Sequence, residues 1–348
     1  MDSTLAPIVL FTYNRPRHTK ATLDALKGNL LAKESVLYIY QDGLKDTATK
    51  EQKDSALEVS AYLQDFIASN EKEKYFKHIT FTQRERNFGL ADSIIDGVTS
   101  VINKHGAIIV LEDDIVVSPV FLDYMNTALK HYKDWPKVWS IAGWGYPIAT
   151  QGLGDCYFWR IPHCWGWASW SDRWQYFSRD VSLAEFTQAD IHYINCDGAA
   201  DYFSHFTLNH KGKLKTWAIF NYLASYKRNA LTLCPSLSYI HQIGFDGSGV
   251  HCGDNGNIFN ASSINTKFPI TFPKEVIEST LALDRIRAFE LAHKITIQKR
   301  VKRKLAKIST TIQTKLAHII ARRGGAAYKL PVITYANVSH RYDESKAA

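Results

Sequence analysis

Three adjacent carboxylates, Glu112, Asp113 and Asp114, come directly after the apolar run Ile108 to Leu111. Ile115 to Val117 then turn apolar again, and Ser118-Pro119 marks the opening of a helix. A run of Ile, Val and Leu without alternation is what a strand covered on both faces requires. Acids at the carboxyl end of such a strand repel one another, and they sit where open α/β sheets bind ligands. Alternation along the strand points Glu112 and Asp114 one way and Asp113 the other. A divalent cation that favours oxygen ligands, Mg2+ or Mn2+, would neutralise the cluster. A solvated acidic turn without any ligand is the plainer reading of the same three residues.

The elements around this turn are set by the same patterning. Residues 7–12 read as a buried strand that ends in Tyr13-Asn14-Arg15-Pro16, a turn because the residue before proline disfavours helix. Residues 36–40 give a second strand, closed by Gln41-Asp42-Gly43, and residues 79–82 a third. Helical stretches fall at 17–30, at 47–69, and from the Arg84–Leu90 segment to about Asn103. Strand and helix thus alternate four times in the first ~115 residues, which implies a mostly parallel sheet with helices on both faces. Polar residues gather at the carboxyl ends of three strands, and one crevice could collect them. Neither a GxGxxG fingerprint nor a P-loop is present.

VLFTYNRP, YQDG, RNFGL and LEDDIVVSPVFLDYM occur in that order. Together they resemble the nucleotide-sugar half of a GT-A glycosyltransferase, and they are most similar to the N-acetylglucosaminyltransferase I-like family and its bacterial relatives. The resemblance covers roughly residues 5 to 260. It implies an α/β/α sandwich, a UDP-sugar donor, and Mn2+ or Mg2+. It also implies roles by position. Arg15 lies in the first turn that contacts the nucleotide, together with Asn87 and Glu112 at the same edge. Asp42 matches the residue that hydrogen-bonds the base, and Asp113 falls at the ribose. Asp114 matches the single protein ligand of the metal.

The second half is richer in aromatics. Strands are expected at 138–142 and 157–160. The run Cys164 to Trp170 resembles a short Gly-Leu-Gly-Trp segment of that family, which shapes the sugar and acceptor pocket. Trp165, Gly166 and Trp167 are therefore candidate pocket residues. Trp167, Trp170 and Trp174 are three and four residues apart, the spacing of a helix that packs its Trp side chains into a core. Helices are expected at 203–211 and 217–228, separated by the basic turn His210-Lys211-Gly212-Lys213. Four glycines fall within residues 244–253, and such a segment lets backbone approach a ligand closely. It resembles the family's loop that closes over the diphosphate, which carries the expectation to Ser248, Gly249 and His251. Ordered closure would exclude water from a glycosyl transfer.

The implied reaction moves a sugar to an acceptor hydroxyl, and an inverting enzyme needs a base within reach of that hydroxyl. The family's base is an Asp in a Trp-Asp-Asp-Trp-like segment; here the counterpart is Lys215-Thr216-Trp217-Ala218, which has no acid. Asp246, in the closing loop, and Asp201 are the candidates. Asp197 is a further possibility, and Asp172 reads as a helix-surface charge.

The 348 residues hold 45% hydrophobic and 13% aromatic residues, including nine Trp and eighteen Tyr. That suits one large α/β domain with an appendage. The expected division is a GT-A catalytic domain over 1–265, whose halves are 1–118 and 119–265, a basic amphipathic helical extension over 274–323, and a tail over 324–348. Ten Lys or Arg and no acid lie between Lys294 and Arg323; taking these ten charges from the net +8 leaves −2 for the rest. The basicity thus belongs to one segment, which argues against nucleic acid as the partner. An apolar stripe from Ile297 to Ile319 opposite this basic face is the pattern for lying on an anionic membrane surface. A helix packed on the body with a solvated basic face has the same pattern. The first residues lack the basic stretch and long apolar run of an export signal, and five scattered cysteines without a CxxC fit reduced thiols. The expectation is a cytoplasmic protein, peripheral at the inner face of the plasma membrane. There it would act on a lipid-linked glycan acceptor in bacterial surface polysaccharide synthesis, lipopolysaccharide O-antigen or capsule. The other readings are a sugar-nucleotide nucleotidyltransferase and a non-catalytic sugar-binding module of the same fold.

Overall fold

A computed structural model describes residues 5–248 and 258–294. The expected Gly249 and His251 contacts, the basic extension beyond residue 294 and the tail lie outside the described residues. The elements run β1 (Ile8–Thr12), α1 (Pro16–Lys27), β2 (Val36–Gln41), α2 (Lys50–Glu73), β3 (His78–Gln83), α3 (Leu90–His105) and β4 (Ala107–Glu112). They continue with β5 (Ile115–Val117), α4 (Phe121–Tyr132), β6 (Val138–Ala142), β7 (Cys156–Trp159), β8 (Trp167–Trp170) and α5 (Ser171–Trp174). Last come α6 (Gln188–Ile194), α7 (Phe203–His210), α8 (Ala218–Lys227), β9 (Leu231–Pro235), β10 (Ile240–Gln242) and α9 (Thr280–His293).

Eight strands form one sheet in the order β3-β2-β1-β4-β8-β6-β9-β7. The first four are mutually parallel, as the strand–helix alternation requires. Strand β8 runs antiparallel between β4 and β6, and β7 is antiparallel at the far edge. The fold is therefore a mixed α/β/α sandwich with a mostly parallel sheet. Side chains of β1 alternate between two cores. Ile8 and Leu10 pack with Leu23 and Leu26 of α1 and Val59 and Leu63 of α2. Val9 and Phe11 pack with Ile94 and Val98 of α3. Gly97 is what lets α3 lie this close, since a Cβ there would come within 2.7 Å of the Phe11 ring.

Local signals set the helix starts. Pro16 occupies the first turn of α1, where its missing N–H costs nothing. Thr49 and Gln52 close a reciprocal capping box on α2. The three-and-four spacing of Trp167, Trp170 and Trp174 does not make one helix. Trp167–Trp170 is strand β8, and α5 begins only at Ser171. Its place between β4 and β6 is decided by ladder pairing, which the side-chain period does not encode. Helix α9 begins at Thr280 behind Ser279, whose Oγ accepts from the Ala282 amide at 3.2 Å, while Glu278 is held in a bridge to Phe158 and by Arg160.

The described chain forms one compact unit to Ala292. No helix among the described residues is long and apolar enough to cross a membrane. No disulfide joins the described cysteines, and Cys156, Cys196 and Cys234 are buried thiols.

Arg160 ties the later part of the first unit together. Its guanidinium pairs with Asp197 at 2.8 Å and Glu278 at 2.7 Å and lies 3.8 Å from the Tyr193 ring centroid. Removing it leaves two half-buried carboxylates without a counter-charge, Glu278 keeping only the backbone amide of residue 160. Arg160→Ala is expected to lower unfolding free energy in urea by about 3 kcal/mol. Arg160→Met combined with Glu278→Gln should lose less, because fewer charges are stranded.

Candidate functional site

Parallel pairing brings the ends of β1, β2 and β4 to one edge. Thr12 lies opposite Gln41, and Phe11 opposite Glu112. The turns that leave these strands are therefore delivered to the same crevice: Arg15 after β1, Asp42 after β2, and Asp113-Asp114 after β4.

The strand period does not extend through the acid triplet. Strand β4 ends at Glu112, and Asp113-Asp114 form a turn, so both aspartates reach the same partner. That partner is Arg15. Its Nη2 pairs with Asp113 Oδ1 and lies 2.9 Å from Asp114 Oδ2, and its Nε donates to Asp113 Oδ2 at 3.3 Å. Both aspartates are only 4% exposed. A positive charge belonging to the chain thus offsets part of the turn's negative charge and leaves the rest for a cation to balance. Burial pushes the Asp113 carboxyl up; Arg15 pulls it down and Asp114 adds to the rise. Glu112, half-buried, is pushed up by burial and then by Asp114 and Asp113, against Arg15. Thr22 of α1 donates to the Asp113 carbonyl at 2.7 Å, which fixes the turn to the helix below.

Asp42 faces inward to the chain. Its Oδ1 accepts from the Phe88 amide at 2.8 Å and the Gly43 amide at 3.0 Å. Its Oδ2 accepts from the Gly89 amide at 2.9 Å and Asn87 Nδ2 at 3.0 Å. Asn87 also donates to the Gly43 carbonyl at 2.7 Å. Asp42 and Asn87 are thus brought together, and they clasp the turn that starts α3. Gly43 is pressed on this turn so closely that a Cβ would meet the Arg86 backbone at 2.4 Å.

The loop after β10 approaches from the other side. Strands β5 and β10 pair as a separate antiparallel ribbon, Gln242 opposite Ile115. Asn260 holds its end by accepting from the Gln242 amide and donating to its carbonyl. The Ile243 amide then donates to the Asp114 carbonyl at 2.9 Å. Gly244 has no room for a side chain: a Cβ there would lie 2.2 Å from Asp114 Oδ2 and 3.1 Å from an Arg15 nitrogen. Asp246 Oδ2 meets His18 Nε2 at 3.1 Å, and its Oδ1 accepts from the Ser248 hydroxyl at 2.6 Å and the Ser248 amide at 3.0 Å. Ser248 first, and His18 after it, hold the Asp246 carboxyl below the usual carboxylate range despite a small opposing effect of burial. His18 is three residues after Arg15 in α1, so one helix face serves both the acid turn and the loop. That spacing is the sequence signal for His18; Gly244 is marked only as the first glycine of the 244–253 segment, and nothing local marks Gln242.

The two candidate pocket tryptophans part company. Gly166 between them has φ 63°, and this left-handed step sends them to opposite sides. Trp165 is half-buried and packs edge-on against Trp144, Phe245 and Phe259, with centroids 4.9, 5.6 and 5.7 Å away. It therefore touches the loop beside Asp114. Trp167 is 1% exposed and stacks in the α3-side core on Trp174 and Trp217. Asp201 is exposed at the start of α7, with only its carbonyl engaged, by Ser204. Asp197 is committed to Arg160, and Asp172 to Arg173 at 2.6 Å.

Among the described residues no group of three or more His, Cys, Asp or Glu side chains could cage a metal ion. Asp114 is held through Oδ2 alone; its Oδ1 has no partner among them. One carboxylate oxygen suits an Mg2+ or Mn2+ ion that takes its remaining ligands from substrate phosphates and water, the usual habit of these ions.

No family model matches the sequence, and no curated protein does. Among solved structures the chain is similar to mannosyltransferase PcManGT from Pyrobaculum calidifontis in complex with GDP-Man and Mn2+. The TM-score is 0.37 and the identity 12%, over 65% of this chain and 70% of that one. It is also similar to UDP-glucose pyrophosphorylase complexed with UDP-glucose, with TM-score 0.35 and identity 10%, over 67% of this chain and 91% of that one. At such scores the sheet order and register above define the fold, and the ligands belong to those proteins.

The Arg15 clasp makes a stability prediction. Arg15→Ala should cost about 3–5 kcal/mol in urea unfolding, because two buried carboxylates lose their counter-charge. Adding Asp113→Asn should recover part of the loss. A double variant no better than the single one would contradict the clasp.

Proposed function

We propose that this chain is a metal-dependent glycosyltransferase that moves a sugar from a nucleotide diphosphate, UDP in the first instance, to a hydroxyl of a glycan acceptor. The observation that carries this reading is the convergence at one sheet edge of Arg15, Asp113-Asp114 and the Gly244–Ser248 loop. Open α/β sheets bind ligands at this edge, and a positive group set beside carboxylates suits a diphosphate that arrives with a divalent cation.

In this reading Asp114 offers Oδ1 to the metal and Arg15 turns from the aspartates toward the phosphates. The ion, when bound with substrate, supplies Lewis-acid stabilisation of the leaving diphosphate. Asp113 and the Tyr13–Arg15 turn orient the nucleoside. The clasp of Asp42 and Asn87 presents the Phe88 turn to the base rather than a carboxylate. Trp165, with Phe245 and Phe259, gives an apolar face for a sugar ring. The acceptor hydroxyl attacks the anomeric carbon, the bond to the diphosphate breaks, and the hydroxyl proton passes to Asp246, which His18 and Ser248 position. Ionised Asp246 is a weak base, so its part is to orient the hydroxyl and take the proton late. Transfer to a lipid-linked glycan in a surface polysaccharide, at a membrane reached through residues 294–323, is the setting this activity suits.

A panel of UDP-sugars tests the reading. Wild type with Mn2+ should release UDP from one donor; EDTA and Asp114→Ala should each lower release by at least about a hundredfold, the scale of losing a charge-stabilising group. Mn2+ alone should bind weakly by calorimetry and tightly together with UDP, because Arg15 occupies the aspartates until phosphate draws it away. Pyrophosphate-forming chemistry from a nucleoside triphosphate and a sugar phosphate, with no UDP release, would replace the transferase by a nucleotidyltransferase. No metal-dependent UDP binding would overturn both.

A further inference from the structure

A hollow of about 700 Å3 opens along the outer flank of α3. A second, of about 330 Å3, lies against α7 and the turn after it. Arg179 and Lys215 line both, so the two hollows meet at these side chains. Neither is lined by the acid turn, but the first reaches Asn87 and Phe88, at the same sheet edge.

The charges along this path are unbalanced. Asp92 takes both Arg179, at 2.8 Å, and Lys215, at 2.6 Å. Asp96, on the same flank, is committed to Arg84 at 2.8 Å. Arg86 lies over the Phe88 ring and has no carboxylate partner among the described residues. Beyond Lys215, the basic turn adds exposed Lys211 and Lys213, which also form no ion pair among the described residues. This excess belongs to a body whose residues outside 294–323 sum to a net charge of −2, so it is local. Between the cations lie groups that suit a saccharide. Thr99, whose Oγ1 accepts from Trp174 Nε1, and Ser100, bonded to Tyr40, keep hydroxyl capacity for a ligand, and Ile95 offers apolar contact.

We infer that the joined hollows are a binding groove for an oxyanion-bearing oligosaccharide, a uronate- or phosphate-substituted chain, with Arg86, Arg179 and Lys215 as its anion contacts and Asp92 as the resident counter-ion that the ligand displaces. The first hollow alone exceeds what one sugar fills and is in the usual range of ligand pockets. Asp92, shared between Arg179 and Lys215, offsets one of these two charges when the groove is empty. That the groove leads an acceptor toward the acid turn rests on the transferase reading; the binding itself does not.

The test is calorimetric titration of the full chain, without nucleotide or metal. The probes are trigalacturonate, its neutral methyl ester, glucose 6-phosphate and inorganic phosphate. Trigalacturonate should bind, more weakly as salt is raised, and the ester at least about tenfold more weakly. Arg179→Gln combined with Lys215→Gln should weaken trigalacturonate by about tenfold or more. Asp92→Asn should strengthen it, and Asp114→Ala should leave it unchanged. Thermal melts confirm that each variant is folded. Equal binding of acid and ester, no binding of either acidic sugar, or indifference to the double substitution would overturn the inference. So would inorganic phosphate matching glucose 6-phosphate, which would leave an anion site with no saccharide recognition. Loss of binding in Asp114→Ala would overturn the separateness of the groove. Failure of UDP release with trigalacturonate binding intact would overturn the transferase reading alone.

Discussion

Two aspartates nearly out of water and one half-buried arginine have to be satisfied together at the carboxyl edge of β4. Arg15 meets Asp113 and Asp114 from a position 98 residues away in the chain, and both elements are fixed only because β1 and β4 pair in register. Burying such charges is unfavourable unless each is paired. The arrangement therefore constrains everything that touches it. Thr22 must hold the turn, Gly244 must lack a side chain, and His18 must share the helix face that carries Arg15.

That constraint also explains why the charged residues of this edge cannot be treated alike. Asp42 and Asp114 look equivalent as acids at strand ends. Four hydrogen bonds to the 43–89 backbone and Asn87 consume Asp42 in holding the turn. Asp114 keeps an oxygen. A carboxylate saturated by amides builds structure, and one held on a single side has capacity left for a ligand.

The strands of the first half are legible in the sequence, because continuous apolar runs broken by polar turns have few other interpretations. The acid turn and its place at the sheet edge are legible for the same reason. The partner of the acids is not, because an ion pair across 98 residues leaves no local trace. The strand period, carried two residues too far, sets Asp113 and Asp114 apart when both turn to Arg15. Trp167 falls between two patterns: its spacing to Trp170 and Trp174 mimics a helix, and its neighbour Gly166 suggests a pocket wall, while ladder pairing puts it in a strand and in the core. Asp246 stands out as an acid in a glycine-rich loop, but its tie to His18 exists only in the fold.

The β5–β10 ribbon has a mechanical consequence. Strand β5 starts at the residue after Asp114, and the Ile243 amide bonds back to the Asp114 carbonyl. The ribbon is thus anchored to the same residue at both of its near ends, with no spare length. Gly244, two residues past the end of the ribbon, lies against the Asp114 carboxylate with no room for a Cβ, and Phe245 after it packs on Trp165 and Phe259. The position of this loop and the geometry of the Asp114 carboxylate are therefore tied to one another.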